Sequence, residues 1–100
     1  MSSYERTSIA KLKGHANYLV WEVRAKALLT RDGLSDAIIK LIAITVLEAT
    51  NGKALATILL SIEDGPLHQI RNKTRANLAW EKLQNLYSPK GFASEFLLCK

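Results

Sequence analysis

Residues 74–87, TRANLAWEKLQNLY, carry the clearest periodicity in the chain. Ala76, Ala79, Trp80, Leu83, Leu86 and Tyr87 recur at intervals of three and four, so they line one side of a helix. Asn77, Glu81, Lys82, Gln84 and Asn85 line the other. Thr74 is placed to cap the helix, its hydroxyl accepting from a backbone N–H of the first turn. Ser88-Pro89-Lys90-Gly91 ends it in a loop. An amphipathic helix of this kind needs other helices to cover its apolar face, and the flanking sequence supplies them.

Immediately upstream, Glu63-Asp64-Gly65-Pro66 closes one helix and opens a short one over 66–72, with Pro66 suited to the first helical position. Before that, Leu55, Ile58, Leu59 and Ile62 restore helical spacing, and Asn51-Gly52 is expected as a turn ahead of that helix, whose start falls near Thr50 or Lys53. Residues 34–46 are rich in β-branched side chains, which weaken helix propensity; a turn over 35–40 followed by an irregular linker is expected. Over 18–31, Tyr18, Trp21, Ala25, Leu28 and Leu29 share a face, and Glu22 and Lys26 form an i,i+4 pair. Val20, Val23 and Ala27 widen the apolar arc, which predicts a central helix packed on more than one side. Asn17 is its expected N-cap, and Gly33 suits the left-handed position after its end. Residues 1–13 read as an extended arm anchored by Ile9 and Leu12. Downstream, Phe92, Phe96, Leu97 and Leu98 lie in a final segment expected to be a helix cut short, with these side chains as candidate self-association residues.

The expected fold is therefore all-α: an arm over 1–13, then a compact bundle of four to five helices over 14–100. Composition agrees. One hundred residues allow a single modest core, 48% are apolar and 23% charged, and two prolines and five glycines leave few helix breakers. The longest apolar run, 37–47, is far short of the roughly 20 residues a bilayer span requires. No apolar signal-peptide segment opens the chain, and Cys99 is the lone cysteine, so an intracellular protein with no disulfide, no membrane partner and no thiolate metal cluster is expected.

Catalytic chemistry finds no foothold. His15 and His68 have no metal-ligand spacing, Glu63 and Asp64 suit a helix boundary, and no phosphate loop or nucleophile elbow occurs. No enzyme activity, cofactor, metal or small-molecule substrate is expected. Arg71, Lys73 and Arg75 place three positive charges within five residues on a chain of net charge +5, which reads first as a solvated charged turn and second as a candidate nucleic-acid contact, with RNA expected to bind only weakly if at all. Trp21, Trp80 and Tyr87 fall on apolar faces and read as core rather than as base-stacking platforms.

The ordered set Lys11-Leu12-Lys13-Gly14, Asn17-Tyr18-x-x-Trp21, Ala27-Leu28-Leu29, Gly33-Leu34, Lys53-Ala54-Leu55-Ala56 and Leu60-Ser61-Ile62 resembles the opening of copia-type LTR-retrotransposon Gag polyproteins. The likeness continues through Thr74…Ala79-Trp80-x-x-Leu83-x-x-Leu86-Tyr87 and Ser88-Pro89-Lys90-Gly91-Phe92, ending in Ser94-Glu95-Phe96-Leu97-Leu98 as in fungal members. Ser35 departs from it, standing where the family carries Trp after Gly-Leu. The resemblance implies the N-terminal half of a capsid-like region, with Gly14, Asn17, Tyr18, Trp21, Leu28, Gly33, Thr74, Trp80, Leu83 and Tyr87 as structural signature. It also implies a cytoplasmic protein that multimerises into virus-like particles enclosing element RNA. The alternatives are a small basic nucleic-acid-binding module, or a Gag-derived host protein that co-assembles with full-length Gag and restricts it.

Overall fold

The computed structural model describes residues 9–89, with the side chains of Lys40 and Leu41 set aside. Helix α1 (Tyr18–Arg31) follows a 3-10 turn at His15–Asn17. A second 3-10 turn (Ser35–Ile38) and the single turn α2 (Lys40–Ala43) lead to α3 (Glu48–Leu60), α4 (Asp64–Ile70) and α5 (Ala76–Tyr87). The fold is all-α, as the periodicity predicted.

Helix α5 is the centre of the bundle. Ala76, Ala79, Trp80 and Leu83 are all buried, and the helix packs on α3, α4 and the Ser35–Ile38 turn. The alanines let neighbouring backbones approach, and Trp80 supplies the bulk. Its indole lies 5.3 Å from that of Trp21, which lies 5.8 Å from the Tyr18 ring. This aromatic row runs from α1 into the core, at separations where aromatic pairs are mutually favourable. The 34–46 segment is more ordered than its β-branched content suggested. Ala37 is buried at a point where the second 3-10 turn touches α1, α2, α3 and α5, so tertiary contact overrides local propensity.

The arm is docked by backbone pairing. Leu12 is completely buried and forms a one-residue parallel bridge with Ile62: its N–H donates to Ser61 O at 3.0 Å, and its C=O accepts from Glu63 N at 2.9 Å. Ser61 O also accepts the indole Nε1–H of Trp21 at 2.9 Å. One carbonyl at the α3–α4 junction thus ties together the arm, α1 and the end of α3.

Helix α1 ends as expected. Gly33 has φ 73°, its N–H bonds to Thr30 O, and Leu34 N–H reaches back to Leu29 O at 2.7 Å. This is a Schellman closure, with Leu29 and Leu34 both in the core cluster. Gly14 differs: its backbone is extended, with no left-handed turn to require glycine.

Four local expectations need correction. Asn17 makes no cap bond; its side chain faces back to the arm, accepting from Lys13 N and donating to Lys11 O, both at 2.9 Å. Thr74 is exposed and caps nothing, because α5 begins at Ala76 behind Arg75. The cap comes from α3: Asn51 Oδ1 accepts the Ala76 N–H at 2.8 Å, while Asn51 Nδ2 donates to Thr74 O at 3.1 Å. Asn51-Gly52 is accordingly no β-turn but lies inside α3, as the fourth and fifth residues of a helix that starts at Glu48. Helix α4 runs from Asp64 to Ile70, so Pro66 sits third in the helix, where the missing N–H still has no intrahelical acceptor to lose.

Candidate functional site

Helix α1 buries one side only. Tyr18, Trp21, Ala25 and Leu29 face the core, whereas Leu19, Val20 and Val23 are 56%, 58% and 68% exposed. This corrects the expectation of a helix packed on more than one side. At 100° per residue, Leu19, Val20, Val23 and Ala27 form a single outward stripe with Glu22 and Lys26 along one flank. Glu22 and Lys26 are not paired with each other: among the described residues the ion pair is Arg31 with Asp32, at 3.1 Å. A shallow, open concavity of about 500 Å³ runs along this flank, lined by Glu22, Val23, Lys26, Ala27, Thr30 and Arg31.

The aliphatic segment after α1 divides. Ala37 and Ala43 are buried, and Ile38 and Val46 pack partly against the core. Ile39, Ile42, Ile44 and Leu47 remain exposed, Ile44 at 80%. Only part of this apolar content therefore serves the core. Leu60, at the end of α3, is also exposed.

The basic triad read from sequence is not one group in space. Arg75 turns inward and is half-buried, its Nη2 donating to Ala43 O at 2.8 Å, which braces the end of α2 against the start of α5. Lys73 is half-buried. Arg71 is exposed and meets different partners: with His68, Gln69, Asn72 and Lys82 it lines an open concavity of about 510 Å³ between the end of α4 and the side of α5. A smaller cleft of about 250 Å³ lies where Ile38 meets Asn77, Trp80, Glu81 and Gln84.

The signature residues are placed as follows. Tyr18, Trp21, Trp80 and Leu83 are buried; Leu28 and Tyr87 are half-buried. Tyr87 receives the exposed His15 edge-to-face at 5.4 Å. The Tyr18 hydroxyl is buried with no partner in hydrogen-bond geometry among the described residues, and burial first, then the negative charge of Glu22 one turn on, hold its proton well above the ordinary phenol range. Phe92, Phe96, Leu97 and Leu98 lie outside the described residues. Among the described residues, no three His, Cys, Asp or Glu side chains group to hold a metal ion, and no helix is long and apolar enough to cross a membrane.

Two of the residues that hold these surfaces in place escaped sequence reading. Asn51 stands on the buried stripe of α3, three and seven residues before Ala54 and Ile58, and a polar residue on an apolar stripe was the available signal. Lys82 was assigned to the polar side of the 74–87 helix, but its meeting with Arg71 depends on the packing of α4 against α5, which no local pattern encodes. Compared with family models, curated proteins and solved structures, the chain matches none.

Proposed function

We propose that this protein is a non-catalytic, self-assembling helical module, of the kind its resemblance to the capsid-like region of copia-type Gag implies. The observation that carries the reading is the outward stripe of α1, where Leu19, Val20 and Val23 stay exposed although the core is complete without them. The occupant is a second copy of the chain. In a two-fold antiparallel pairing centred on Val23, the flank bearing Glu22 and Lys26 meets the same flank of the other copy. Lys26 of one copy then lies over Glu22 of the second, offset by about 3 Å along the axis at 1.5 Å per residue. Among the described residues neither Glu22 nor Lys26 makes an ion pair, and the pairing supplies each with one.

One helix stripe is smaller than the roughly 800 Å² per partner typical of stable complexes, so this contact is weak by itself and gains from repetition. The exposed Ile39, Ile42, Ile44 and Leu47 offer a second apolar surface, and because an isologous contact closes at the dimer, growth beyond it needs a further contact of this kind. Particle formation in the cytoplasm around element RNA, or co-assembly with full-length Gag as a restricting host protein, are the biological settings this reading admits.

Light scattering across a concentration series tests it. Molar mass should rise from monomer toward dimer and beyond, and Val23→Glu should hold the protein monomeric with an unchanged circular dichroism spectrum. A wild-type chain that stays monomeric at millimolar concentration refutes self-assembly. A Val23→Glu variant that assembles like wild type removes α1 as the interface.

A further inference from the structure

The concavity between α4 and α5 is built differently from the α1 stripe. Its described lining is His68, Gln69, Arg71, Asn72 and Lys82, with no carboxylate and no large apolar side chain among them. The dipole of α4 accounts for basic residues near its C-terminus, where the exposed carbonyls favour positive charge. It does not account for Lys82, which projects from the middle of α5 into the same space. Neither Arg71 nor Lys82 makes an ion pair among the described residues. Two cationic groups, Arg71 just past the end of α4 and Lys82 on α5, line the same space, flanked by two carboxamides and an imidazole that can donate hydrogen bonds.

From this arrangement we infer that the His68–Arg71–Lys82 concavity is a phosphate-binding site that takes the backbone of single-stranded RNA. Arg71 offers a planar fork of donors suited to two phosphate oxygens, and Lys82 a compact charge for the same or the neighbouring phosphate. Gln69 and Asn72 each carry both donor and acceptor, which matches a ribose 2′-hydroxyl. No Phe, Tyr or Trp is among its described lining, so recognition is chiefly of the backbone and largely independent of base sequence. The concavity is open, which suits a polymer passing through it. The site is separate from the α1 stripe and does not depend on self-assembly.

Fluorescence anisotropy with a labelled twelve-nucleotide oligouridine tests it on the full chain. The Arg71→Ala/Lys82→Ala variant should bind at least ten-fold more weakly at low salt. The slope of log K against log salt should flatten by about 1.4, two phosphate contacts at roughly 0.7 each for a single strand. Lys13→Ala/Lys53→Ala removes the same charge from two exposed positions on the arm and α3 and should change affinity less than two-fold. Val23→Glu, which breaks the proposed dimer, should leave binding intact. Equal loss in both double variants, or no binding by the wild-type chain, overturns the site. Capture of tripolyphosphate through Arg71 and Lys82 without any affinity for the oligonucleotide overturns its assignment to RNA.

Discussion

Replacing Asn51 with alanine isolates the contact that lets α5 begin where it does. Asn51 is 4% exposed and makes two hydrogen bonds across 23 and 25 residues of sequence, to Thr74 O and from Ala76 N. No side chain of α5's own first turn or of Arg75 caps the helix. Alanine therefore removes a cap, an effect of about 1 kcal/mol. It also strands the N–H of Ala76, a residue with no exposed surface, and an unsatisfied buried donor costs a further 1–3 kcal/mol or so. Thr74 O stands beside an exposed residue, where water can replace the lost donor, so that half of the interaction adds little. The expected loss is about 2–4 kcal/mol. For a domain of this size that corresponds to a fall in melting temperature of roughly 8–32 °C. Urea unfolding followed by far-ultraviolet circular dichroism measures it, with Thr74→Ala as the comparison that should stay within about 0.5 kcal/mol of wild type. If Asn51→Ala is neutral, or Thr74→Ala is the more damaging change, the cross-helix cap is not what orders α5 and the account of its start is wrong.

The two glycines outside the arm that stand in contrasting backbone settings should respond with opposite sign. Gly33→Ala places a Cβ at φ 73° and should cost about 1–2 kcal/mol, whereas Gly52→Ala lies inside α3 with nothing within 4 Å and should stabilise by roughly 0.5–1 kcal/mol, both measured by urea unfolding. Trp21→Phe deletes the donor to Ser61 O but leaves the Leu12 N–H on that carbonyl, so a loss of about 1–2 kcal/mol is expected in the same assay. Leu12→Ala should cost more, about 2–5 kcal/mol, and free the arm, which limited trypsin digestion reads as faster cleavage at the exposed Lys11 and Lys13. Tyr18 has its proton held more tightly in the folded chain than the ordinary phenol value near 10. Stability from this source is complete below about pH 10 and declines as pH rises beyond it, because the unfolded chain releases the proton first. Tyr18→Phe should remove that alkaline decline without lowering stability at neutral pH, as alkaline thermal melts will show.

Much of the helix content was legible because periodicity and caps are local. The 74–87 pattern, the closure at Gly33 and the anchoring of the arm by Leu12 follow from spacing and side-chain type alone. What escaped was decided by distant partners. Asn17 and Thr74 are competent caps by residue type, yet Asn17 is claimed by Lys11 and Lys13, and Asn51 reaches Ala76 before Thr74 can serve. Asn-Gly favours a turn locally, but inside α3 the Asn51 side chain is worth more to the fold than the turn would be. Residues 34–46 combine poor helix propensity with tertiary contacts on four sides, and sequence shows only the first. The α1 stripe was visible as excess apolar width, and its assignment to the interior was wrong because helix width gives no information on how many neighbours a helix has. The charged cluster was visible in Arg71, whereas Lys82 joins it only through the packing of α4 on α5.

The one-sided burial of α1 has a further consequence for how stability and association can be separated. Everything that holds α1 in place acts on its inner side: the Trp21 indole on Ser61 O, the aromatic row into Trp80, and the Leu29–Leu34 closure. Leu19, Val20 and Val23 contribute little to that set, so polar replacements there cost the monomer little and change chiefly what the outer face can meet. Glu22 is the point where the two sides touch. It is half-buried, its charge bears on the buried Tyr18 hydroxyl, and it flanks the outer stripe. In the proposed pairing Lys26 of a second copy meets this carboxylate. Glu22→Gln therefore weakens association through α1, whereas assembly through the exposed Ile39, Ile42, Ile44 and Leu47 is left unchanged. Light scattering of wild type and Glu22→Gln across one concentration series at neutral pH distinguishes the two surfaces: equal molar mass at every concentration removes Glu22 from the interface.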